Sequence, residues 1–231
     1  FCLSRGLGDV YKRQVFNRTT ETDLTEDQLP QVDIYKYKQV IFVGDSRTEF
    51  MENVLTGMGE SATKNVKFVC SAGKGLDWFT TTGWAQLYSI VQHDSNSILS
   101  KKTAVIFNFG VNDLSKSADY AEYYNWIAPQ LKSKGCELYF MSVNPVNRLM
   151  LPNAGRADRS EAAVRSFNQY MKANLSSAYT YIDMYSYLKS TGYSFASDHY
   201  GTGTVDDGLH YTTRTYKRIF AKCMDSLRVP A

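Results

Sequence analysis

Between Lys38 and Arg228 short apolar runs alternate with longer stretches in which apolar residues recur every three or four positions. The runs Gln39–Val43, Val66–Cys70, Thr103–Phe109, Glu137–Val143 and Tyr179–Ile182 have strand length and read as buried strands. The stretches between them predict helices near Thr48–Met58, Leu76–Val91, Asp119–Lys134 and Asp158–Leu175. A last helix, near Thr212–Leu227, sets Tyr216, Ile219, Phe220, Cys223, Met224 and Leu227 on one stripe. Strands joined by crossover helices predict an α/β sandwich around a parallel sheet of about five strands. In such a sheet ligands gather beyond the carboxyl ends of the strands.

Residues before Lys38 lack this pattern. Residues 1–14, FCLSRGLGDVYKRQ, have neither an apolar signal core nor a cleavage site, and they resemble translated sequencing-adapter sequence. They are read as a leader that need not be native. Residues 15–37 include a Thr-rich acidic stretch with Pro30 and read as a linker or surface segment, leaving one domain over residues 38–231.

With 231 residues, 43% hydrophobic and 14% aromatic, the chain can bury a sizeable core. Its 26 basic and 23 acidic residues give no field to hold a phosphate backbone, so nucleic acid is not an expected partner. Four cysteines without a C-x-x-C pair and three histidines argue against a structural zinc cluster. Without the leader, the cysteines are Cys70, Cys136 and Cys223, read as buried thiols rather than a disulfide framework. No run approaches the roughly eighteen apolar residues of a bilayer span.

Three polar blocks fall at strand ends, and a fourth lies in a loop before the last helix. Gly44-Asp45-Ser46 opens a helix, where free N–H groups can stabilise negative charge, although Asp and Ser are also ordinary caps. Ser71-Ala72-Gly73-Lys74-Gly75 follows the second strand, where a glycine lets a backbone N–H approach a ligand. Gly110-Val111-Asn112-Asp113 follows the third; the Asn112 amide can donate into the same crevice or form a turn. Asp207 stands three residues before His210, a spacing that lets the carboxylate orient one imidazole nitrogen and leaves the other for a serine proton.

In this order the blocks resemble those of the SGNH or GDSL-type hydrolases. The resemblance implies a flavodoxin-like three-layer sandwich, Ser46 as nucleophile, His210 as general base and Asp207 as its orienting carboxylate. It also implies an oxyanion hole from the Ser46 and Gly73 N–H groups and the Asn112 side chain, with Gly75 a rival to Gly73. Such chemistry needs no metal or organic cofactor. Common α/β-hydrolases are disfavoured, since their nucleophile elbow reads Gly-x-Ser-x-Gly and position 48 is Thr.

Arg47 stands where the family usually has Leu, and is expected near the pocket mouth, either solvated or favouring a substrate carboxylate. Trp78, Phe79 and Trp84 form either an aromatic platform or core. His199 lines the pocket or makes a loop hydrogen bond, and His93 is expected in solvent. Asn144-Pro145-Val146-Asn147 shapes the rim.

The leading expectation is a serine esterase removing short acyl groups, acetyl above all, from a small-molecule or glycan ester. The alternatives are an O-acyltransferase, a lysophospholipase- or thioesterase-like acylhydrolase, and a glycan-binding domain on a decayed hydrolase scaffold. A bacterial, extracytoplasmic setting is expected, with the cytoplasm as alternative. Oligomeric state stays open.

Overall fold

The first strand, β1 (Tyr37–Gly44), is buried at every position but Lys38, as expected of a central strand covered on both faces. The computed structural model describes residues 23–33, 36–94, 102–151, 159–197 and 206–227. In it β1 pairs in parallel with β2 (Val66–Cys70) and β3 (Lys102–Asn108). β4 (Cys136–Met141) and β5 (Tyr179–Ile182) extend the sheet, giving the order β2-β1-β3-β4-β5. This is the flavodoxin-like order, and its switch point lies between β1 and β3, where the first and third polar blocks leave the sheet.

Side-chain alternation along the strands divides the core between two faces. Ile41, Val43, Val105, Phe107, Leu138 and Phe140 point to one side. There they meet the helices α2 (Leu76–Trp78), α3 (Trp84–Asp94), α4 (Ser117–Ser133) and α5 (Glu161–Asn174). A π-helical turn, Phe79–Gly83, joins α2 to α3. Val40, Phe42, Ala104, Ile106 and Met141 point to the other side. That face is covered by α1 (Ser46–Thr56), α6 (Met184–Thr191) and α7 (Thr213–Ser226). The result is the α/β sandwich that the pattern predicts, in the three-layer form that the resemblance implies.

Several elements differ from the sequence reading. The first strand begins earlier than read, at Tyr37, and ahead of it Leu29 and Val32 pack into the second core. Helix α6 was not anticipated; only Met184 and Leu188 are buried in it, too few to set a period. The segment around His210, expected as a loop, is a strand, β7 (Asp206–Tyr211), paired antiparallel with β6 (Phe195–Ser197). Cys70, Cys136 and Cys223 are free thiols, two of them buried. Among the described residues no helix is long and apolar enough to cross a membrane.

Phe107 is fully buried in β3 and touches the rings of Phe79, Tyr124 and Tyr179. Phe107→Ala is therefore expected to lower unfolding free energy by about 3–5 kcal/mol in urea titrations. Trp126→Ala, on a residue 59% exposed, should cost less than about 1 kcal/mol in the same measurement.

Candidate active site

Asp45 caps α1, accepting the Arg47 N–H at 3.0 Å, and so places Ser46 at the first helical position directly beyond β1. Ser46 is 5% exposed. Its Oγ lies 2.9 Å from His210 Nε2, and His210 Nδ1 lies 2.6 Å from Asp207 Oδ2. The carboxylate is fully buried, and its other oxygen accepts the backbone N–H groups of Leu209 at 2.8 Å and His210 at 2.7 Å. The three-residue spacing works because Gly208, at φ +70°, takes a conformation that L side chains avoid. A Cβ there would also lie 2.5 Å from the Asn147 carbonyl oxygen.

Burial pushes the Asp207 pKa up, but the hydrogen bond and charge of His210 and the two backbone donors outweigh it, leaving the carboxyl below its ordinary value. Asp207 is thus a carboxylate at neutral pH. When the ring carries one proton, Oδ2 holds it on Nδ1 and leaves Nε2 to accept from Ser46. The Phe50 ring, 4.5 Å from that of His210, backs the imidazole. The sequence reading missed Phe50, although it stands one helical turn after Ser46 on the same helix face.

Among the described residues the backbone N–H groups of Ser46, Gly73 and Gly75 donate to no acceptor. The neighbouring N–H of Ala72 donates to Glu49 at 2.6 Å and that of Leu76 to Asp113 at 2.9 Å. Gly75 lies against the Asp113 carboxylate, which a Cβ would meet at 2.3 Å, whereas a Cβ on Gly73 would meet nothing within 4 Å.

The Asn112 amide is held from both ends. Its Nδ2 donates to the Lys74 carbonyl at 2.8 Å and its Oδ1 accepts from Arg159 Nη2 at 3.0 Å. A guanidinium only donates and a carbonyl only accepts, so the two neighbours fix the amide in one orientation. Arg159 also donates to the Val111 carbonyl at 2.6 Å. No sequence signal pointed to Arg159, which lies 47 residues from Asn112.

Arg47 requires a correction. It is neither solvated nor open to a substrate carboxylate, being 3% exposed. Its guanidinium donates to the carbonyls of Leu209, Asn144 and Pro145, each at 2.9 Å. The side chain turns inward because those carbonyls converge beside α1, and charge-assisted bonds offset the cost of burying the cation.

Trp78 is half-buried, its ring 6.1 Å from Phe109; Phe79 is core, and Trp84 packs against Tyr88 at the core's edge. Asn144 and Asn147 are buried rather than at an open rim. His199 lies outside the described residues, as does the side chain of His93. From Phe50 an apolar groove of about 720 Å³ runs between α1 and α7, lined by Val54, Met58, Ala196, Tyr211 and Tyr216 among others.

Among the described residues no group of three or more His, Cys, Asp or Glu side chains could hold a metal ion. What the site offers is a serine hydroxyl on a helix N-terminus, an imidazole nitrogen within hydrogen-bond reach of it and amide donors.

A family model described as GDSL-like Lipase/Acylhydrolase matches residues 40–223. Among curated proteins no sequence matches. A solved structure from Slackia heliotrinireducens, assigned to the SGNH hydrolases, superposes with TM-score 0.54 at 12% identity, covering 84% of this chain and 100% of the other. An acylhydrolase structure from Bacteroides fragilis gives 0.53 at 16% identity, covering 87% and 92%. The acetyl xylan esterase AlAXEase gives 0.51 at 10% identity, covering 82% and 100%. At these identities the structures share the fold.

One pH effect follows from the cap. Burial raises the Asp45 carboxyl to about 6, against the opposing pull of the Arg47 N–H and guanidinium. The folded chain therefore holds this proton in a window, between the ordinary carboxylate range and about 6, where the unfolded chain has lost it. Ionisation above that window subtracts stability. Asp45→Asn, which cannot ionise, should gain stability relative to the parent by on the order of 2 kcal/mol between pH 4 and pH 8, read from denaturant titrations.

Proposed function

The chain belongs to the GDSL-like lipase/acylhydrolase family, and on that premise we propose that it is a serine esterase removing short acyl groups, acetyl above all, from carbohydrate esters. The observation that carries this reading is the unbroken relay from Asp207 through His210 to Ser46, with contacts of 2.6 and 2.9 Å.

In the proposed reaction His210 Nε2 takes the Ser46 proton as Oγ attacks the ester carbonyl, and Asp207 stabilises the imidazolium that forms. The tetrahedral oxyanion accepts from the Ser46 and Gly73 N–H groups and from the Asn112 amide, whose Nδ2 keeps a second proton beyond the one given to Lys74. Gly73 is preferred to Gly75 because an oxyanion at Gly75 would face the Asp113 carboxylate. His210 then protonates the departing alcohol, and water activated by the same nitrogen releases the acid.

The groove that begins at Phe50, one ring away from His210, is proposed to take the alcohol part; it offers aromatic walls with Asn53 and Thr213 beside them. Such a mixture suits a sugar ring. The acetyl xylan esterase among the structural neighbours is consistent with that class. A bacterial, extracytoplasmic setting, where acylated polysaccharides lie, belongs to the same proposal.

A fluorophosphonate should label the chain once, at Ser46, and Ser46→Ala should lose both labelling and ester turnover. Asn112→Ala should keep labelling while kcat for p-nitrophenyl acetate falls roughly 10²–10³-fold. Turnover retained by purified Ser46→Ala would overturn the proposal. Release of acetate from acetylated xylan, against p-nitrophenyl esters of increasing chain length, tests the substrate class.

A further inference from the structure

We propose that Arg47 is a positioning residue for this chemistry, setting the approach of His210 to Ser46 by tying the nucleophile turn to the strand that carries the base. The inference rests on the acyl-transfer reading above.

Arg47 directly follows Ser46, and its three donors reach two segments far away in sequence: the Asn144-Pro145 carbonyls beyond β4 and the Leu209 carbonyl in β7. Leu209 directly precedes His210. On the other side of the base, the Tyr211 hydroxyl donates to the same Pro145 carbonyl, and the Tyr211 ring lies 5.2 Å from the guanidinium. Both chain neighbours of His210 are thus fastened to the group that is fastened to Ser46.

The anchoring loop is itself held. Asn168 pairs with the N–H and carbonyl of Val143, each at 2.8 Å, and the Asn147 N–H donates to the Gly208 carbonyl at 2.8 Å. Arg47 therefore bonds to a fixed frame. A leucine, the family's usual residue here, could fill the space but supplies none of these bonds. Three buried carbonyls would lose a donor. Since the bonds fall one residue from each reacting group, an error there passes directly to the 2.9 Å contact between Oγ and Nε2. Misplacement of about 1 Å can cost about 10² in rate.

The test compares Arg47→Leu and Arg47→Lys with the parent, well below each protein's melting temperature. Arg47→Leu should lower kcat for p-nitrophenyl acetate about 10²-fold with KM little changed, and slow fluorophosphonate labelling by the same factor. Arg47→Lys keeps the charge but not the fork that reaches both segments at once, so it should fall between. A merely structural role would lower the melting temperature and leave kcat and labelling rate unchanged; that result overturns the inference. If Arg47→Leu does not fold, Arg47→Lys decides, and a labelling rate equal to the parent's overturns it. A parent protein that takes no label removes the acyl-transfer reading instead.

Discussion

The buried Asp207 carboxylate is the group on which the rest of the site depends. One oxygen folds its own chain, accepting the N–H groups of Leu209 and His210, and the other orients the His210 ring. A single ionised group therefore sets both the backbone path of β7 and the orientation of the His210 imidazole. The cost of burying it is met by three short donors, and its removal would unmake local fold and chemistry together.

The same economy recurs along the carboxyl edge of the sheet. Asp45 caps the helix that presents Ser46, Asp113 caps α2 through Leu76 and accepts from the Tyr120 hydroxyl, and Arg159 holds the Asn112 carbonyl oxygen. Arg47 closes the ring by reaching the loop beyond β4 and the base strand. These charged groups bond to backbone dipoles, an amide or a hydroxyl, which stiffens loops that four different strands deliver. Apolar layers on both faces of the sheet supply the frame, and the polar edge arranges Ser46, His210 and Asp207 on it.

Much of this was legible in the sequence because it depends on short-range pattern. Val66–Cys70 and Tyr179–Ile182 were read to the residue, since turn signals bracket each run. Ser46 stood out because it follows a strand end, and Asp207 and His210 because of their three-residue spacing; the structure brings them into one relay. What stayed hidden depends on where long side chains travel. Arg47 looked like a surface cation because nothing nearby in sequence announces the carbonyls of residues 144, 145 and 209. Arg159 was hidden for the same reason. The β6–β7 pair was missed because its short strands gain their identity only from each other.

The central claim is that Ser46, activated by His210, carries an acyl group through a covalent intermediate. Pre-steady-state mixing with p-nitrophenyl acetate tests it most directly. A covalent intermediate on Ser46 should give a burst of one p-nitrophenolate per chain, with the matching acetyl group found on the Ser46 peptide by mass spectrometry. A burst absent while turnover continues, with no acetyl group trapped on Ser46 at any pH, would contradict it.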